Sequence, residues 1–169
     1  MYFYRIKQIL LISDTHGHLG DEVLEHALVS DEVWHAGDWG NNPEFTKLEE
    51  MAVVRGVYGN IDDIIIRNRY PKEHCFSIED VTVFMTHIGG YPGRYEKTIK
   101  EKLDKIKPQL YICGHSHICK VMKDNRLDLY HFNPGAIGNK GFHKKRTMLK
   151  FKVERGRIFD VNVLEYEKK

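Results

Sequence analysis

Five times along this chain a short apolar run stops at a residue that can hold a metal ion, with glycine beside it or close by. Lys7-Gln8-Ile9-Leu10-Leu11-Ile12 breaks into Ser13-Asp14-Thr15-His16-Gly17-His18. Glu32-Val33-Trp34-His35-Ala36 stops at Gly37-Asp38-Trp39-Gly40, and Ala52 to Val57 ends in Tyr58-Gly59-Asn60-Ile61-Asp62. Val81 to Thr86 ends at His87-Ile88-Gly89-Gly90, and Leu110-Tyr111-Ile112-Cys113 at Gly114-His115-Ser116-His117. Short apolar runs bounded by turn residues are the pattern of buried strands. Between the first three, residues 20–29 carry Val23, Leu24, Ala27 and Leu28 at helical spacing, and Pro43 opens a second helix from Glu44 to about Met51. Strand, helix, strand, helix, strand implies a parallel sheet. Parallel strands place their carboxyl ends on one edge, where the polar loops can meet.

The second half changes character. Residues 75–79 and 81–86 read as a hairpin across Glu79-Asp80, and a helix near 95–107 returns to the strand at 110–113. Strand-like segments follow near 118–123, 127–132, 147–153 and 157–165, with Asp124-Asn125 and Arg155-Gly156 as hairpin turns. The 169 residues, with no repeat, linker or low-complexity segment, fit one domain over 1–169.

Composition narrows the function. A net charge of +2 gives no argument for nucleic acid or an anionic membrane, and no run of about 18 apolar residues exists to span a bilayer. Met1 to Lys7 lacks a signal peptide's order of segments, and three cysteines argue against a disulfide framework; both fit a reducing cytoplasm. The ten histidines are unusual and form no terminal tag.

The strand ends supply Asp14, His16, Asp38, Asn60, His87, His115 and His117, all oxygen or imidazole donors of the kind divalent Mn, Fe, Zn or Ni accept. Each alone is weak evidence, since an Asp after a strand is often a helix cap. Together, seven donors suit two metals better than one: if Asp38 bridges, each ion receives four protein groups and keeps sites for water and substrate. Two ions about 3.5–4 Å apart can clamp a phosphoryl group, and a bound water falls toward a pKa of about 7.

These motifs resemble, in order and rough spacing, the calcineurin-like metallophosphoesterases, and most of all the small single-domain phosphodiesterase branch of that superfamily. Asn133-Pro134-Gly135-Ala136 is similar to that branch's late Asn-Pro-Gly-Ser turn. The resemblance covers positions 9 to about 138. It implies a four-layer α/β/β/α sandwich of two mixed sheets flanked by helices, with a dinuclear site at the sheet edge. It implies Asp14, His16, Asp38 and His117 on one metal, and Asp38, Asn60, His87 and His115 on the other. The implied activity is hydrolysis of a small phosphate ester, most simply a phosphodiester, through a metal-bound hydroxide with manganese as the first candidate. One relative of this fold is a scaffold in a membrane-trafficking coat, so a catalytically weak binding module is the alternative.

The chain departs from the pattern in two places. Many superfamily members carry a histidine after the Asn, beside the leaving group; here Ile61 stands there, so an ester with a good leaving group is favoured. His18 is a candidate substitute for the proton donor. His87-Ile88-Gly89 stands where the branch commonly has His-Gly, so Ile88 must tolerate a turn that glycine often takes.

The remaining signals have structural readings beside functional ones. Asp62 either supports the site from behind or caps the next segment. Trp39 either stacks on a base or aryl group or packs. Asn133 belongs to a turn that requires no chemistry. Cys113, His115, His117 and Cys119 alternate along about 20 Å of extended chain, too far to gather round one zinc, and Cys113 reads as core. Lys140, Lys144, Lys145 and Arg146 read as a solvated basic surface, and the run from Arg67 to Lys72 carries no assigned role. His26, His35, His74, His131 and His143 receive no role, and self-association is left open.

Overall fold

The computed structural model describes residues 5–168; Met1 to Tyr4, part of the stretch read above for a leader pattern, lie outside the described residues. The elements are β1 (Lys7–Ile12), α1 (Asp21–Leu28), β2 (Glu32–His35), α2 (Thr46–Met51), β3 (Val53–Gly56), α3 (Ile64–Arg69), β4 (Glu73–Ile78), β5 (Val81–Thr86), α4 (Lys97–Ile106), β6 (Leu110–Ile112), β7 (Cys119–Asp124), β8 (Leu129–Pro134), β9 (Lys145–Glu154) and β10 (Arg157–Glu167). A 3-10 turn at Pro43–Phe45 leads into α2. They build two five-stranded sheets, ordered β10-β9-β1-β2-β3 and β4-β5-β6-β8-β7. Strands β1, β2 and β3 run parallel, as do β5, β6 and β8; β9 and β10 in one sheet, and β4 and β7 in the other, run antiparallel to their neighbours. Both sheets are therefore mixed.

Side chains alternate across each strand, and the unbroken apolar run of β1 serves both faces. Ile9 and Leu11 enter the layer between the sheets, with Trp34, Val83, Met85, Ile112, Phe132 and Phe151. Leu10 and Ile12 face outward, packing with Val23 and Ala27 of α1 and Leu48 of α2. On the far side Phe84 and Tyr111 pack with Ile99 and Leu103 of α4. Helices thus cover both outer faces, and the expected α/β/β/α sandwich is the observed architecture. Each fully buried Leu, Ile or Phe contributes about 1.5–3 kcal/mol, which is why the alternation sets the register.

Both two-residue hairpins lie where the sequence places them. Glu79 and Asp80 adopt φ of 44° and 64°, and Arg155 and Gly156 adopt 48° and 72°, the left-handed pairs that match strand twist. Helix α3 is the element the sequence hides. Ile64-Ile65-Ile66 is β-branched and unfavourable for a helix, but Asp63 caps it, accepting from the backbone N–H of Ile65 at 3.0 Å and Ile66 at 3.1 Å. The turn between β7 and β8 spans 125–128, longer than the two residues expected, because Asp124 folds it back by accepting from the N–H of Arg126 at 2.9 Å.

Candidate metal centre

The carboxyl ends of β1, β2, β5 and β6 meet through backbone hydrogen bonds. Asp14 N–H donates to Gly37 O (2.9 Å), His16 N–H to Asp38 O (3.0 Å) and Gly17 N–H to Trp39 O (2.7 Å), so the loops after β1 and β2 run as a short ladder. Gly114 N–H donates to His87 O at 2.9 Å, which joins the loops after β5 and β6. The two sheets are tied by His115 N–H donating to Asp14 Oδ2 (3.0 Å) and His87 Nδ1–H donating to Ala36 O (2.8 Å).

This convergence forces an unusual backbone. Asp14, His16, Asp38, His115 and His117 all have positive φ, between 48° and 65°. Asp and His tolerate the left-handed region better than most residues, yet each such position costs about 1 kcal/mol or more. The hydrogen-bonded ladder holds them there. Glycine is needed at two neighbours: a Cβ on Gly37, itself at φ 97°, would stand 2.6 Å from the His87 ring, and one on Gly59 would overlap the Asp38 carboxylate.

The donor atoms gather into two groups. Asp14, His16 and His117 offer atoms within 4.8 Å of one another, and so do Asp38, His87 and His115. In the first, Asp14 Oδ1 lies 3.2 Å from His117 Nε2, and His117 Nε2 lies 3.3 Å from His16 Nε2. In the second, His87 Nε2 lies 3.2 Å from Asp38 Oδ1 and 3.1 Å from Asn60 Oδ1. Asp38 faces both groups, since its Oδ2 lies 3.8 Å from His16 Nε2. All seven residues expected from the sequence are at this edge, and the alternate histidines His115 and His117 fall into different groups.

The donors fit a cation. Asp14 is fully buried; its Oδ2 is held by Ser13 Oγ–H at 2.6 Å and the His115 N–H, while Oδ1 has no hydrogen-bond partner among the described residues. A buried carboxylate oxygen without a partner costs free energy unless a positive charge answers it. Separations near 3.3 Å are about those of atoms sharing one cation at 2.0–2.2 Å. Burial disfavours charge on His87, but the Asp38 hydrogen bond and the carboxylates of Asp14 and Asp38 outweigh it and hold the ring above its ordinary pKa. Burial also opposes ionisation of Asp38, but the His87 ring, the Ile61 N–H and His16 keep its carboxyl below the usual range. Burial lowers His16 despite the same carboxylates. The carboxylates thus favour a positive charge at His87, whereas burial prevails at His16.

Several residues without an assigned role support it. His143 Nε2 lies 3.0 Å from Gly138 O, so it carries the hydrogen, and Nδ1 is left as an acceptor 3.2 Å from His117 Nδ1. His117 then donates from Nδ1, and its Nε2 lone pair faces Asp14. Buried His35 accepts from Gly37 N–H at Nδ1 (3.1 Å), and its Nε2 lies 2.9 Å from Thr15 Oγ1, which donates to Trp39 O (2.8 Å). Asn133 reaches beyond its turn, donating to Gly114 O (2.9 Å) and Ser116 Oγ (3.1 Å).

The open readings resolve on the same geometry. Asp62 accepts from Gly59 N–H (2.7 Å) and Gly40 N–H (2.9 Å), tying two site loops, while the helix cap is Asp63. Trp39 packs: it is 1% exposed, stacked between His35 and Tyr70 at 3.7 and 4.3 Å, and donates from Nε1 to Val57 O. Cys113 is buried against α4. Arg146 is buried and bonds Glu22, so it is not part of a solvated surface. His18 Nε2 sits 3.1 Å from Arg146 Nη1 and 4.0 Å from Glu22 Oε1, and is in neither donor group. Ile88 avoids the left-handed region; Gly90, at φ 81°, takes that part of the turn.

A profile of the calcineurin-like phosphoesterase superfamily domain matches residues 8–156. A probable metallophosphoesterase of Methanothermobacter thermautotrophicus is 27% identical over 137 residues, covering 75% of this chain and 74% of that protein. The structure of a predicted phosphoesterase from Streptococcus pneumoniae is 18% identical with a TM-score of 0.70, covering 96% of this chain and 99% of that one. That of Vps29 with Zn2+ from Entamoeba histolytica is 14% identical with a TM-score of 0.72, again covering 96% and 99%. At these identities the two structures share the fold.

Proposed function

Because the chain belongs to the calcineurin-like phosphoesterase superfamily, we propose that it is a dinuclear metal-dependent hydrolase of small phosphodiesters in the cytoplasm. The observation that carries this reading is the pair of donor groups around the unpartnered Oδ1 of buried Asp14. Asp14, His16 and His117 would hold one cation, and Asn60, His87 and His115 the other, with Asp38 shared between the two. Oxygen and imidazole donors suit manganese first, with iron, zinc or nickel as substitutes. When bound, two such ions supply Lewis-acid charge for the phosphoryl group and a water of lowered pKa as nucleophile.

The protein's own part is positioning. Ala36 O and His143 fix the two imidazoles whose Nε2 atoms face Asp38 and Asp14. Ser13 and the His115 N–H occupy Asp14 Oδ2 and leave Oδ1 for the cation. Ile61 stands where many relatives place a proton-donating histidine, and His18 is engaged by Arg146. The preferred substrate is therefore a diester whose leaving group needs little protonation, such as an aryl oxide.

The binding-module alternative draws on likeness to Vps29, which at 14% identity is a likeness of fold. A scaffold does not need an unpartnered buried carboxylate oxygen ringed by imidazoles. The test is Asp38→Asn, with metal content and turnover of an aryl diester measured together. Both should fall by orders of magnitude. Full turnover by a metal-free variant would sink the mechanism. A wild-type protein that turns over no diester with any divalent metal, yet holds a stable protein partner, would establish the scaffold.

A further inference from the structure

Two cavities flank the candidate centre. One, of about 280 Å3, is walled by Tyr58, Asn60, His87, Ile88 and Thr98. The other, of about 480 Å3, is walled by His115, His117, Ile118, Phe142 and His143. Each therefore opens onto a different part of the donor set, and the rings of His87 and His115, 5.3 Å apart, stand between them. A phosphodiester bound at the centre has two organic substituents to place.

Phe142 is the outlying feature of the larger cavity. Its side chain is fully exposed, at 106% of the reference area, and Ile118, lining the same cavity, is 57% exposed. A lone exposed apolar residue is ordinary; this one shares a cavity with two candidate metal ligands. Its loop is also fastened. Gly138 N–H donates to Asp14 O at 3.1 Å, and His143 bridges Gly138 O and His117. Gly141, at φ 118°, passes so close to His117 that a Cβ there would overlap the ring. The backbone on either side of Phe142 is thus held against the site, so little backbone freedom remains to lose when a ligand packs on its ring.

We infer that Phe142 and Ile118 form the subsite for a flat aromatic substituent of the phosphoester, an aryl or base ring. This rests on the proposed metal centre and names the arm of the substrate that each cavity takes: the ring lies on Phe142, and the second substituent lies toward Tyr58.

Two ligands of like charge that differ in the ring test it: phenylphosphonate and methylphosphonate, titrated calorimetrically into the protein in excess Mn2+. Phenylphosphonate should bind about tenfold more tightly, the scale of one aromatic contact with some burial. Phe142→Ala should bring that ratio to near one, Phe142→Trp should keep it, and Tyr58→Ala should leave it unchanged. If neither phosphonate binds, the metal-centre reading fails and the subsite with it. If both bind but the ratio is near one, survives Phe142→Ala or is lost in Tyr58→Ala, the subsite alone is overturned.

Discussion

Two buried histidines of the second sheet have opposite surroundings. His87, just past the end of β5, has Ala36 O at one ring nitrogen and Asp38 and Asn60 at the other. His131, within β8, is fully buried beside Tyr111, and neither of its ring nitrogens has a hydrogen-bond partner among the described residues. The carboxylates around His87 overcome its burial and raise its pKa. Burial, with Lys120 adding to it, pushes His131 down to about 4. Burial alone therefore does not mark a functional histidine. What matters is whether the fold brings anionic oxygen to the ring, which happens at the strand ends and not in the strand interior.

The largest expected effect tests the His87 side of this contrast. His87→Leu should lower Mn2+ affinity by more than about a hundredfold, beyond the range of residues that only orient a ligand. His131→Leu should leave affinity near wild type. Equal losses in both variants would erase the distinction.

Next is acid stability. His131 stays neutral in the fold down to about pH 4, whereas the unfolded chain protonates it near 6.5. A depressed folded pKa gives stability that is complete above 6.5 and lost as pH falls toward 4, by about 3 kcal/mol for this one group. The urea midpoint of wild type should therefore fall relative to that of His131→Leu between pH 7 and 4.5, whichever of the two is the more stable at neutral pH. Parallel curves would show that His131 finds a partner in the folded protein.

The smallest effect concerns His143, which acts through His117. His143→Leu removes the acceptor for His117 Nδ1–H and should weaken Mn2+ binding by about tenfold. His143→Asn, whose side-chain oxygen can take the place of Nδ1, should recover most of it. The 15N shifts of the His117 ring in metal-free protein give an independent check, because Nδ1 should carry the hydrogen in wild type and lose that preference in the Leu variant.

The contrast also explains what could be read from the sequence. Asp14, His16, Asp38, Asn60, His87, His115 and His117 were legible because each sits at a strand end next to or near glycine, a signal within a few residues. The hairpins at Glu79-Asp80 and Arg155-Gly156 were legible from an equally local signal, two turn residues between strand-like runs. His143 and His35 were not, because their meaning lies in His117 and Thr15, separated from them by 26 and 20 residues. Helix α3 was hidden because an isoleucine run favours strand; in the fold Asp63 caps it and Ile66 packs against the core.

The sequence by itself determined the buried apolar run of β1, the parallel order of the first three strands and the polar character of the loops that follow them, since all three follow from local hydrophobic pattern and turn chemistry. Only the tertiary structure decided which donors share a group, which oxygen of Asp14 is left without a partner and that Trp39 packs while Phe142 stands free. Those outcomes depend on distances of a few ångströms between loops of two different sheets, and such distances are set by how the sheets pack, not by any segment alone.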